Sequence, residues 1–447
     1  MERPPRTPSL PPRVRVLIAA RCVNRLGGFS MAFLGVLLVR DLGAGAAGTA
    51  LVLTCFGVAT IPSRIVGGHL ADAWGHRPTM LLGLVASAAA QIVIAAAPSL
   101  PWALVGAVLL GLAYEIVEPP TQALVSDLVP EHSRAFAYSV LNASLSVAGV
   151  LAGVVAATVS GLGLRWLFVV DAATCLACAA LVAHRIPRAT TPETRTKPTT
   201  PTKPTTTHPL DQDDRRGRTS PRHDVAADVT ADARSTAARA RWVTALTDRR
   251  LRPVVASGTV AATVTMVVVF GVPLLVEQRG LSPAVTGWVL AAGAAASVPG
   301  AWLAAALRHR TDDGGVLLVG EVLASAGLAV IAVAGHPVTL AAGLVAFDVG
   351  GLLVIATTMA RAGSLAPDGA RGTYLAVLGL TWGLATSIAP AILTTLGTAY
   401  GPGAPFGAAA VALLGTALGR AGQRPRLRRR TSLGGLPPAY ERDGSTT

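Results

Sequence analysis

Apolar residues run in long blocks along this chain, broken by short clusters of Gly, Pro, Arg and acidic residues. A helix needs about 20 mostly apolar residues to cross the hydrocarbon core of a bilayer. Twelve windows meet that length: 14–39, 46–68, 79–97, 102–125, 136–160, 165–184, 253–276, 284–306, 315–335, 338–360, 372–396 and 403–420. The pattern predicts an all-α membrane protein of twelve transmembrane helices in two sixes, 14–184 and 253–420. Residues 1–13 form an N-terminal tail, 185–252 a linker and 421–447 a basic C-terminal tail. The stretch 195–209 is Thr/Pro/Lys-rich and lacks the apolar residues to build a core, so the linker reads as disordered. Its end, Ala231 to Arg250, mixes Ala with Arg, Trp242, Val243 and Leu246 and reads as a short surface helix.

Composition sharpens this picture. Hydrophobic residues make up 51% of the 447 and charged ones only 14%, against about 25% charged in soluble domains. The net charge of +14 lies in the tails, the linker and the short loops, outside the apolar runs. That placement points to a membrane surface rather than nucleic acid. With both termini cytoplasmic, the short inner loops hold Arg77, Arg134, Arg308, Arg310, Arg361 and Arg371, and the outer loops only Arg40, Arg165 and Arg279. Positive charge favours the cytoplasmic face, so a multi-pass protein of the cell's inner (plasma) membrane with both ends inside is expected. The only lysines, Lys197 and Lys203, lie in the linker, which excludes a Gly-x-x-x-x-Gly-Lys phosphate loop. Cys175 and Cys178 have C-x-x-C spacing but no nearby His, so they read as small apolar residues. No metal, cofactor or enzymatic nucleophile is expected.

The halves resemble each other at an offset of 237 residues. Val36-Leu37-Leu38-Val39 faces Pro273-Leu274-Leu275-Val276, Leu81-Leu82-Gly83 faces Leu318-Val319-Gly320, and Leu128-Val129-Pro130-Glu131 faces Leu365-Ala366-Pro367-Asp368. Parallel six-helix repeats related by an axis along the membrane normal describe the major facilitator arrangement. The loop after the second window reads Gly67-Gly68-His69-Leu70-Ala71-Asp72-Ala73-Trp74-Gly75-His76-Arg77-Pro78. It resembles the signature loop of the major facilitator superfamily, G-x-L-A-D-(R/K)-x-G-R-(R/K), and the segments 118–130, 365–374 and 379–384 resemble multidrug-efflux-like members. The resemblance implies a gating latch built on Gly68, Asp72, Gly75 and Arg77, with Asp127 as its partner. Ala73 and His76 stand where basic residues are usual, which implies a weaker latch. The fourth window lacks Arg-x-x-Gln-Gly, and the fifth has Gly149-Val150-Leu151-Ala152-Gly153 in place of an antiporter motif.

Ionisable residues inside a bilayer are costly and mark function by default. Arg21, Asn24 and Arg25 fall on one face of the first helix at spacings of three and four. Glu115 and Glu118 lie one turn apart in the fourth. Depth counting pairs Arg25 with Glu118, a pair whose opening and closing couples protons to substrate, whereas Arg21 reads as snorkelling to the inner face. Asp348, at mid-depth in the tenth helix, is a further cavity candidate. Asp171 reads as structural, Glu321 as peripheral and Arg64 as an interfacial anchor. The expected function is alternating-access secondary transport, with proton-coupled export of small amphipathic molecules by a monomer. Uptake of a polar metabolite, or a sensor reusing the fold, are the alternatives.

Overall fold

The computed structural model describes residues 10–186, 242–367 and 370–432, and for 72, 126, 131, 132, 135, 371 and 421–432 the backbone alone. Most of the linker, the first nine residues and the end of the C-terminal tail lie outside the described residues.

Every span is a helix, because helices satisfy their backbone polar groups internally where no water is available. The first span is α1 (Pro12–Gly27) plus α2 (Ser30–Arg40), the second α3 (Ala46–Trp74) and the third α4 (His76–Ala96). The fourth is α5 (Leu100–Tyr114) plus α6 (Glu118–Leu128), followed by α7 (Glu131–Ser160) and α8 (Leu164–Arg185). A short helix, α9 (242–247), precedes the second half. There the spans are α10 (Leu251–Gln278), α11 (Pro283–Ala295) with α12 (Ser297–Arg308), α13 (Asp313–Val333), α14 (Pro337–Leu365), α15 (Arg371–Tyr400) and α16 (Ala404–Ser432). Eleven spans are long and apolar enough to cross a bilayer, and Ala404–Arg420 adds a shorter apolar helix. The last helix continues past residue 420, where the apolar pattern ends and a tail was expected. Among the described residues there is no strand.

Three spans are broken, each with a cause in the sequence. Gly27-Gly28 interrupts the first. In the fourth, Pro119-Pro120 lack the N–H groups that would continue the helix through 115–117. In the eighth, Pro299 cannot bond the carbonyl of Ala295, and the chain turns at Ala296.

Small residues let the two halves meet. A Cβ on Gly57 of α3 would lie 2.5 Å from the Thr386 backbone of α15, and one on Gly153 of α7 would lie 2.6 Å from Ala291 of α11. Gly287 packs directly on the Ala157 backbone. These two seams are images of each other under the repeat. At the 237-residue offset Gly57 corresponds to Ala294 and Thr386 to Gly149, and Ala294 and Gly149 are themselves in contact. A third contact joins Gly35 of α2 to Leu274 of α10.

The starts of α1 and α10 and the ends of α8 and α16 lie on one side, here called the terminal side, because the spans alternate in direction. On the opposite, far side one apolar core runs through both halves, from Phe33, Leu37 and Phe56 to Phe270, Leu328 and Phe406. On the terminal side the core divides. Leu17, Met80, Val125 and Cys178 belong to a cluster within the first half, and Leu251, Tyr374 and Leu378 to another within the second. The molecule is thus sealed on the far side and split on the terminal side.

The loop arginines on the far side tie helix ends. Arg165 donates to the carbonyl of Ala95 at 2.9 Å and Arg279 to that of Ala332 at 3.1 Å. Ala95 and Ala332 correspond under the repeat, and both are C-terminal carbonyls without helical partners. Arg40 reaches Glu277 at 3.7 Å across the halves. On the terminal side α9 buries Ala245 against the second half and leaves Trp242, Val243 and Leu246 exposed. Asp248 fixes it there, accepting from the Arg250 amide at 2.8 Å and from the Tyr374 hydroxyl at 2.8 Å.

Two predictions follow from this packing. Leu at position 287 overlaps the Ala157 backbone and should destabilise the far-side seal by about 1–3 kcal/mol. Disulfide formation between Gly35→Cys and Leu274→Cys should therefore slow several-fold in a Gly287→Leu background, whereas an unchanged rate would show that the seam does not hold the seal. The Arg250 amide, then the Tyr374 hydroxyl, hold the Asp248 carboxyl below its ordinary value of 3.8. Its contribution is complete above that value and is lost as pH falls through the lowered one. Exchange of the Arg250 and Arg252 amides, corrected for intrinsic rates, should accelerate over that acidic step and show no step in Asp248→Asn.

Candidate functional site

The breaks in the first and fourth spans face each other within the first half, and the charged residues cluster at them. Arg21 Nη2 and Glu118 Oε2 form an ion pair at 2.8 Å. Arg21 Nη1 also donates to Asn24 Oδ1 at 3.0 Å, and Asn24 donates onward to Cys175 Sγ at 3.2 Å. Gln122 donates to Glu118 Oε1 at 3.1 Å, and the Tyr138 hydroxyl donates to the Gln122 carbonyl at 2.7 Å.

The partner of Glu118 is therefore Arg21, not Arg25 as depth counting predicts, and Arg21 does not snorkel. The face is common to both arginines, but the break at Gly28 sets which turn lies level with Glu118. Arg25 is exposed, stacks on the Phe29 ring at 5.9 Å, and sits beside Gly149 at the seam. It has no carboxylate partner among the described residues.

A second pair was not legible in the sequence. Arg64 binds Glu115 through Nε at 3.0 Å and Nη2 at 2.9 Å, so it is not an interfacial anchor. Glu115 is held in turn by its own amide, which donates to Ser63 Oγ at 3.1 Å. The Arg64 guanidinium lies on Gly379 of α15 and thus reaches across the seam. A small cleft borders the pair, lined by Thr60, Ile61, Gly379, Leu380 and Gly383. The signal that could have found this pair is an arginine 18 residues into a span, just after Pro62, opposite an acid at the start of a proline break.

In the second half, Asp348 packs directly on Gly293 of α11. Among the described residues no hydrogen bond or ion pair engages its carboxylate, and it is only partly buried. Further toward the terminal side, α10, α14 and α15 line a small apolar pocket, with Ala262, Ile355, Thr358, Met359, Leu378 and Trp382 among its walls. Glu321, read as peripheral, is buried and pairs with Arg420 of α16, with Thr416 donating at 2.8 Å.

The loop between α3 and α4 turns on Gly75, whose φ of 88° suits only glycine. His76 Nε2 approaches Asp127 Oδ2 at 3.4 Å. Arg77 instead donates to the Ala183 carbonyl at the end of α8, at 2.7 Å. The loop thus reaches Asp127 through His76 rather than Arg77. Gly68 faces open space, and the Asp72 side chain lies outside the described residues.

The family model described as Major Facilitator Superfamily matches residues 17–390, and matches again over 255–435. The chain belongs to that superfamily. The second match begins near the start of the second half, as an internal repeat requires. The chain is a multi-pass membrane protein of that superfamily. A peptide transporter POT has the same fold, with a TM-score of 0.70 and 17% identity over 93% of this chain and 95% of that one. The nucleoside transporter NupG aligns with a TM-score of 0.66 and 11% identity over 91% of this chain and 98% of that one. Among curated relatives, a Na(+), Li(+), K(+)/H(+) antiporter of Planococcus maritimus is 27% identical over 27% of this chain and 29% of its own length. The multidrug resistance protein MdtH of Klebsiella pneumoniae is 32% identical over 28% of this chain and 31% of its own. The chain thus spans under a third of the length of these relatives.

The Arg64–Glu115 pair is partly buried and doubly bonded, so it should be worth more than a surface pair. A double-mutant cycle with Arg64→Ala and Glu115→Ala, read by thermal unfolding in detergent, should give a coupling of about 1–3 kcal/mol. A coupling near zero would show the pair to be solvated.

Proposed function

We propose that this transporter exports small amphipathic molecules in exchange for protons, with both termini cytoplasmic. The observation that carries the reading is the asymmetry of the two halves. The first half supplies the charged side chains Arg21, Arg25 and Glu118. The second supplies an apolar pocket around Trp382 and Met359, and one carboxylate, Asp348, without a partner. A molecule with an apolar body and a polar end fits between such walls.

In this reading Asp348 and Glu118 carry protons. Glu118 is released from Arg21 when the substrate competes for the arginine, and Asp348 takes its proton from the open terminal side. Asn24 orients Arg21, and Glu115 holds Arg64 on α15, so that the seam and the charged site move together. The loop residues Gly68, Asp72, Gly75 and Arg77, with Asp127, close the terminal side in the other state. Local similarity to a multidrug resistance protein and to a cation/H(+) antiporter supports export by exchange. The excess of arginine on the terminal side supports the orientation. We propose that the chain acts as a monomer in the plasma membrane, with lipid as its surroundings.

One observation favours the uptake of a polar metabolite instead. Arg25 is exposed and unpaired beside the seam, as suits a substrate carboxylate.

The test is flux of a fluorescent amphipathic dye in intact cells and inverted vesicles. Cells should exclude the dye, vesicles should accumulate it, and an uncoupler should abolish both. Asp348→Asn should lose uphill accumulation and retain downhill exchange. Uncoupler-insensitive entry of a small carboxylate, stopped by Arg25→Ala, would establish uptake and overturn export.

A further inference from the structure

A second buried carboxylate takes no part in that scheme. Asp171 of α8 lies inside the first half, at the break of the first span. It is 5% exposed, and its neighbours Ser30 and Gln91 are 2% and 3% exposed. Ser30 Oγ donates to Asp171 Oδ2 at 2.5 Å, and the Gln91 amide donates to the same oxygen. Cys175 Sγ lies 3.8 Å from Oδ1. Thr174 Oγ1 donates to the Asp171 carbonyl at 2.9 Å. Gly27, the last residue of α1, packs so closely that a Cβ there would meet the Asp171 Cα and Thr174 Oγ1, both at 2.5 Å.

All direct partners of this carboxylate are neutral. No arginine pairs with it among the described residues. Neutral hydrogen bonds do not offset the loss of hydration of a buried charge. The surroundings nevertheless converge on one point with oxygen donors: the carboxylate, the Ser30 and Thr174 hydroxyls, and the Gln91 amide, whose oxygen and nitrogen exchange by a flip.

We infer that Asp171, Ser30, Gln91 and Thr174 form a site for a small monovalent cation, Na⁺ or Li⁺. One carboxylate matches one positive charge, and donors that are oxygen apart from the Cys175 thiol suit a hard ion rather than a transition metal. Occupancy neutralises the buried charge and fixes the break of the first span, whichever substrate the gap between the halves carries.

The test is thermal unfolding of the purified full chain in detergent, with Na⁺ or Li⁺ replacing N-methylglucamine at constant ionic strength. The midpoint should rise saturably with Na⁺. Asp171→Asn, which keeps the shape and removes the charge, should abolish the rise, and Ser30→Ala should shift the titration several-fold to higher Na⁺. An unfolding midpoint that ignores both cations would overturn the site. So would a response to pH alone, which means a proton only. So would a Na⁺ titration unaltered in Ser30→Ala, a readout that remains if Asp171→Asn does not fold.

Discussion

The absence of water in the hydrocarbon core governs this structure. Every peptide group placed there must find its partner within the chain, and a charge there is costly unless it is paired. Twelve helices answer the first demand. The second explains why the intramembrane charges gather where helices break, at Gly28 and at 115–117. A break exposes backbone groups that polar side chains must satisfy, as Ser63 does for the Glu115 amide. It also admits bulky charged groups that a straight packed helix would exclude. Arg21 with Glu118, Arg64 with Glu115 and Arg420 with Glu321 each cancel a charge in place.

The same scarcity of solvent shapes the contact between the halves. Lipid tails are as apolar as leucine, so helices associate through close packing rather than through a hydrophobic drive. Gly57, Gly153 and Gly287 bring backbones together along two symmetry-related seams. Smooth, small-residue seams hold the halves without interdigitating large side chains, which suits one bundle rocking on the other. The continuous far-side core and the divided terminal-side core describe one end of that motion. Arg64 of the first half lies on Gly379 of the second at the seam, so it links the ion pairs to the movement.

Much of the architecture was legible in the sequence, because span length and hydropathy are dictated by the bilayer. The twelve windows and the offset of 237 required no knowledge of packing. The site was less legible. The 3.6-residue period puts Arg21 and Arg25 on one face and cannot choose between them. The choice belongs to the break at Gly28, a tertiary feature. Arg64 looked like an anchor because the apolar window seemed to end near Gly68, whereas α3 continues to Trp74 and carries Arg64 inward. Asp171 reads as structural from its place near the outer end of its span, and its own window does not show that Ser30 and Gln91 bond to it from two other helices.

Paired spin labels measure the central claim most directly, because they read the separation of the halves on each side of the membrane. One pair joins the far-side ends of α2 and α10, the other the terminal-side ends of α6 and α14. Without substrate, the account predicts a short, narrow distance for the first pair and a long one for the second, with the two changing in opposite senses when dye is added. Distances that are short on both sides, or that fail to respond in opposition, would contradict two bundles rocking about glycine-lined seams.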